Sequence, residues 1–203
     1  MNRTKNNKNT LMSAFTIVEV SILFVIFLIV TFLVAPLSLN ETIQANNASK
    51  WRDVQGDFTN IYDSINSEKD NQNFDFATAF ESVLAGEVVG DIEPYKITNM
   101  NGTFPSAEFR FSNFKQTSSR NATVAYKLYT SPQSDVLGIL MYDVNGSSGP
   151  NVWGKDVYGY YIHSDRFEPF CQSESVVRQK QDCSKSGTGL CCSSSYLVPG
   201  SFN

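Results

Sequence analysis

Histidine is almost missing from this chain: there is one, His163, in 203 residues. It stands beside Ser164 and Asp165. Neighbours in sequence do not supply the geometry of a serine–histidine–acid relay, so an exposed or internally satisfied histidine is the expectation. No glycine-rich phosphate loop, no metal-ligand helix and no nucleophile motif occurs, and no enzymatic activity is expected. A basic stripe is lacking as well. The formal net charge is −4. A mildly acidic chain without clustered cations gives no case for nucleic-acid binding. Cysteine is absent until residue 171, and all four cysteines (Cys171, Cys183, Cys191, Cys192) fall in the last 33 residues.

What the chain does have is one long apolar run. Residues 15–35 are apolar apart from Thr16, Glu19, Ser21 and Thr31. At 1.5 Å per residue they would make a helix of roughly 31 Å, about one bilayer core. Glu19 is the oddity, because a carboxylate near a bilayer centre costs on the order of 3 kcal/mol and asks for a partner. A cleaved secretory signal fits poorly: its apolar core is about 7 to 15 residues long, and Pro36 spoils the small-residue site at Ala35. A plain signal anchor fits better, with Arg3, Lys5 and Lys8 holding the N-terminus in the cytoplasm. A third reading adds proteolysis between Ala14 and Phe15.

The third reading rests on a resemblance. A basic leader, a small residue, Phe15-Thr-Ile-Val-Glu19 and some twenty apolar residues resemble the processing site of type IV prepilins and type II secretion pseudopilins. In that family the leader is cut before a Phe, the new amino group is methylated, and the fifth mature residue is Glu. Phe15 as first residue places Glu19 fifth and Pro36 twenty-second, where many members carry a helix-kinking proline. Members usually have Gly before the cut; Ala14 is small enough to stand there. The resemblance implies a filament subunit whose N-terminal ammonium lies four residues from Glu19, on the same helix face. In a filament the amine of an incoming subunit would meet Glu19 of its neighbour, which acts mainly on axial register. Implied partners are copies of itself and other pilins, the prepilin peptidase/methylase, an inner-membrane assembly platform and membrane lipid. The head would lie outside the cytoplasm, then in an extracellular pilus or a periplasmic pseudopilus. The other class is a membrane-anchored extracytoplasmic binding module that never polymerises.

Domain organisation follows. Residues 1–14 are a basic leader; its removal takes Arg3, Lys5 and Lys8 from the net charge of −4 and leaves −7. Residues 15–36 form the transmembrane and polymerisation helix, where Pro36 should bend the rod. Residues 37–72 continue it as an amphipathic helix, because Trp51, Val54, Phe58, Ile61 and Ile65 recur at intervals of three and four. The polar residues 40–49 predict a weaker turn in between. Residues 73–203 are the head. A short helix starts at Asp75 and stops at Gly86. Four strands follow, over residues 107–114, 123–130, 136–144 and 157–162. The expected fold class is α+β: a long N-terminal helix, transmembrane half plus amphipathic half, packed on a small antiparallel sheet, with a disulfide-bonded C-terminal loop.

Two segments carry candidate chemistry. Asp143, Asn145, Asn151 and Asp156 place oxygen donors around glycines between the third and fourth expected strands, where they could wrap a calcium ion. Their spacing is not that of an EF-hand, and Asn-Gly and Gly-Pro equally predict a well-made loop. The same stretch resembles, more loosely, the C-terminal region of many pilin-like proteins. No other cofactor is expected. In an exported domain the cysteines should form disulfides. Pairing the vicinal Cys191 and Cys192 would strain the ring, so Cys171 and Cys183 each take one of them, in either of two connectivities. The spacings do not suit a zinc knuckle pair. In pilins such a C-terminal disulfide-bounded loop is often the exposed, variable surface. Five Asn-x-Ser/Thr matches, at Asn40, Asn47, Asn101, Asn121 and Asn145, are near what chance supplies in a chain of this composition.

Overall fold

The computed structural model describes residues 17–67, 69, 74–118, 120–130 and 135–198. Helix α1 spans Ile17–Ser67. The chain divides into two compact units at Thr42/Ile43.

In the first unit, residues 17–32 are helical, and every large apolar side chain among them is 40–84% exposed. The two hydroxyls in this run are satisfied within the helix. Ser21 Oγ donates to Ile17 O at 2.8 Å and Thr31 Oγ1 to Phe27 O at 2.7 Å, the back-bonding that lets Ser and Thr sit on an apolar helix. Here the expected fold class needs correction. Among the described residues no helix is long and apolar enough to cross a membrane. The apolar run with described side chains covers residues 17–32, about 24 Å of helix against the roughly 30 Å of a hydrocarbon core. The transmembrane half of the expected fold is therefore withdrawn.

In the second unit the apolar stripe of α1 lies where its spacing places it. Ala48, Trp51, Val54, Phe58, Ile61 and Ile65 are buried and pack with Val124, Leu140, Tyr142, Tyr158, Tyr160 and Ile162. Trp51 is the centre: its ring stacks on Tyr158 at 5.0 Å and its Nε1 donates to Ser193 O at 2.8 Å. A large indole buried with its N–H satisfied contributes both area and direction. Residues 40–49, expected as a weak turn, are helical throughout. Tertiary contacts override their modest propensity: Asn47 is buried, and Gln44 Nε2 donates to Tyr196 Oη at 2.9 Å.

Helix α2, Phe76–Glu87, begins as expected: Asp75 accepts from Thr78 N at 3.0 Å and from Thr78 Oγ1 at 2.6 Å. These bonds hold its carboxyl below the usual carboxylate range. Gly86 does not end the helix, which runs to Glu87 and passes directly into β1, Val88–Ile92. Among the described residues the sheet has six strands in the order β1-β2-β3-β4-β5-β6, every pair antiparallel. The others are β2 (Phe114–Thr117), β3 (Thr123–Leu128), β4 (Val136–Asp143), β5 (Val157–His163) and β6 (Phe167–Pro169). Residues 107–114 are not a strand until their last position. Ala107–Phe109 form a single 3₁₀ turn, and Phe109 leaves any alternation to pack edge-on against Phe170 at 5.1 Å.

The sheet is covered on both faces. Alternate residues of β3 to β5 face α1 and α2; the others, among them Ala125, Ile139, Met141 and Val157, form a second core with Trp153, Phe114 and Phe170. Gly159 marks a close approach within that second core. A Cβ there would collide with the Phe170 ring and come within 2.7 Å of Leu140 O, so only glycine lets the ring lie on the strand.

Candidate functional site

The candidate residues fall into three groups. Ala14 and Phe15, the expected processing site, lie outside the described residues. Glu19 stands in the first turn of α1, and Pro36 lies within the same helix, its side chain outside what is described.

The second group is the loop between β4 and β5, and here the structure brings all four candidates together. Asp143 closes β4 and Asp156 precedes β5; both are 0% exposed. Asp156 organises the loop: its Oδ2 accepts from Asn151 N at 2.9 Å and from Asn145 Nδ2 at 3.4 Å, and its Oδ1 accepts from Val152 N at 2.7 Å. Asp143 Oδ1 accepts from Asn145 N at 3.1 Å, and its Oδ2 from the Tyr95 hydroxyl at 2.9 Å. Asn151 takes a positive φ of 52° and Gly146 one of 72°, which Asn and Gly tolerate best. Burial, and then the neighbouring Asp156 charge, push the Asp143 carboxyl up to about 8. Asp156 is also raised by burial, against the pull of its backbone donors.

Two amides decide what this loop can hold. Asn145 Oδ1 is buried without a hydrogen-bond partner. With its nitrogen turned inward, the Asn151 amide donates to Ser148 O and to Asp143 Oδ2, each at 3.2 Å. Turned the other way, its oxygen faces two acceptors, Asp143 Oδ2 and Ser148 O, an arrangement that a hard cation would satisfy. Among the described residues no group of three or more His, Cys, Asp or Glu side chains is placed to hold a metal.

The third group is the C-terminal segment. Cys171 bonds Cys191 and Cys183 bonds Cys192, each pair with Cα atoms 5.0 Å apart. Of the two open connectivities this is the one adopted. Helix α3, Val176–Asp182, sits between the bridges, capped by Ser175, which accepts from Arg178 N at 3.3 Å. Asp182 at its end ties the return: Oδ1 accepts from Thr188 N at 2.8 Å and Oδ2 from Cys191 N at 2.9 Å. The short helix α4, Cys192–Ser195, is buried under Trp51, and Ser193 Oγ accepts from Gly159 N at 3.0 Å. So the segment is only partly a surface: α3 presents Val176 and Val177, while α4 belongs to the core. The two disulfides fit an oxidising, extracytoplasmic environment.

His163 is buried between carboxylates. Nδ1 lies 2.9 Å from Asp135 Oδ2 and Nε2 lies 3.6 Å from Glu168 Oε2. Arg166 pairs with Glu168 at 2.9 Å on the same rim. Among the described residues no hydroxyl or thiol is hydrogen-bonded to the ring.

The Tyr95–Asp143 bond and the Asp182 hub carry no sequence signal. Tyr95 and Asp143 are 48 residues apart, and an aspartate ending a seven-residue helix looks like any polar residue. Comparison with family models, with curated proteins and with solved structures finds no match.

Proposed function

We propose that this chain is a structural subunit of a type IV pilus-like filament, processed before Phe15 and assembled through its N-terminal helix. The observation that carries the proposal is the uncovered apolar surface of residues 17–32, in which 40–84% of every large apolar side chain is exposed. An apolar surface of that extent requires a cover, and it surrounds the helix rather than forming one stripe. Copies of the same helix, packed in the centre of a filament, provide that cover. The resemblance of residues 1–36 to prepilins supports the same reading and supplies the remaining parts: a peptidase/methylase that acts at Phe15, an assembly platform, other pilins, and a head held outside the cytoplasm. The head is the presented surface and is assigned no catalysis. Glu19 sets register by meeting the amine of an incoming subunit, since a buried charge is tolerated only where its partner is in place. Glu19→Ala is therefore expected to be cleaved normally and to yield few or no filaments by electron microscopy; abundant normal filaments from that variant would remove the register role.

A second reading applies to the β4–β5 loop alone. Calcium binds there, with Asp143, Asn145, Asn151 and Asp156 as the residues that would hold it. The favouring observations are the buried, unpartnered Asn145 Oδ1 and the Asn151 amide, whose oxygen can turn toward Asp143 Oδ2 and Ser148 O. Bound calcium would neutralise the two buried carboxylates. Calcium at a hundred times its Kd is expected to stabilise the chain by about 2.7 kcal/mol, reversed by chelator. An unchanged thermal midpoint in millimolar calcium would leave the loop as a hydrogen-bonded turn.

A further inference from the structure

The face of the sheet opposite α1 carries a pocket of about 320 Å³. It lies between β2 and the loop of residues 93–113, and its walls are the rings of Tyr95, Phe104, Phe109, Phe111 and Phe114. Phe114, 2% exposed, is the floor, and Phe104, 56% exposed, is the open lip. The floor is held from behind. The Tyr95 ring packs on Phe114 at 4.4 Å while its hydroxyl donates to buried Asp143, and Phe109 is wedged against Phe170 at 5.1 Å. The site is therefore preformed, and its size falls at the small end of ligand pockets.

Two cations stand in the same lining. Lys96 Nζ sits 4.3 Å from the Phe104 ring centroid, and Arg110 Nε donates to Pro105 O at 2.8 Å, which anchors its guanidinium. Neither is paired with a carboxylate among the described residues, although the chain as a whole is acidic. Elsewhere in the head, Lys115, Arg120 and Arg166 each have an acidic partner, whereas Lys127, Lys155, Lys180 and Lys185 form no ion pair among the described residues. Two unpaired cations beside a wall of aromatic faces select for opposite charge at one end of a ligand and for a flat apolar body at the other.

We propose that this pocket binds a small amphipathic anion, an aryl carboxylate, with its ring among the phenylalanines and its carboxylate at Lys96 and Arg110. The volume suits one ring. The site is independent of the filament reading and would remain if that reading failed.

The test uses the full-length chain solubilised in amphipol, titrated with phenylacetate and with neutral phenylacetamide by saturation-transfer NMR and calorimetry against an amphipol blank. Saturable binding of phenylacetate is expected. The amide should bind about tenfold more weakly or worse, the loss of one charge-assisted contact. The Lys96→Ala/Arg110→Ala variant should lose phenylacetate affinity by a similar factor and Phe104→Ala should weaken both compounds, with the near-ultraviolet circular dichroism of the head unchanged. Absence of saturable phenylacetate binding overturns the proposal, and so does equal affinity for acid and amide, a comparison that needs no variant to fold.

Discussion

Asp143 and Asp156 make the β4–β5 loop sensitive to pH. The Asp143 carboxyl is held near 8 by burial, above its ordinary 3.8. A group whose folded value is raised binds its proton more tightly folded than unfolded, so the unfolded chain holds fewer protons between pH 4 and 8. Stability then falls as pH rises through that window, by up to about 1.4 kcal/mol per pH unit for the one proton. Asp143→Asn imitates the protonated form: its amide nitrogen can donate to the Tyr95 oxygen and its amide oxygen can accept from Asn145 N. In chelator, urea midpoints of the native chain should fall from pH 5 to pH 8 more steeply than those of Asp143→Asn, in which Asp156 is the raised carboxyl that remains in the loop. Equal slopes for the two would remove Asp143 as the source. At this scale the residues of the loop were legible in the sequence, as four oxygen-bearing side chains among glycines, but their bonding was not. The partner that matters most, Tyr95, comes from a distant loop, and no local pattern announces a pairing across that separation.

At the scale of elements, periodicity was a good guide wherever an element has one apolar face. The α1 stripe from Trp51 to Ile65 is buried residue for residue, because intervals of three and four put those side chains on one face whatever they pack against. Short strands defeated the same reading. Val88–Ile92 has three exposed residues in a row, and Phe167–Pro169 is three residues long, too few for an alternation to register. The aromatic residues of 107–114 belong to a packed loop, and their imperfect alternation was the sign of it. The C-terminal segment was legible as disulfide-bonded but not as core. Its bridges close 20- and 9-residue separations around α3 and bring α4 under Trp51. The Cys183→Ser/Cys192→Ser variant is expected to lose about 2–5 kcal/mol. Its thermal midpoint should fall more than that of the Cys171→Ser/Cys191→Ser variant, because Cys192 is fully buried beside the Trp51 cluster. The reverse order would place the weight of the segment on α3 instead.

At the scale of the whole molecule, two units of different character share one chain. The head has two apolar cores on either side of a six-stranded sheet, with the Trp51 indole and the Ser193 hydroxyl satisfied between α1, α4 and β5. The N-terminal unit has an apolar helix with nothing over it among the described residues. Hydropathy read the second as a membrane span. The structure corrects that, since the described apolar run is shorter than a bilayer core. What survives is the need for a cover, and the filament proposal answers it with other copies of the chain. The central claim is processing at Phe15, and the intact mass and N-terminal sequence of the protein from its native source test it directly. The expected result is a chain that begins at Phe15 and carries the added mass of one methyl group. A chain that begins at Met1 with no added mass would contradict it, and the filament role of Glu19 would fall with it.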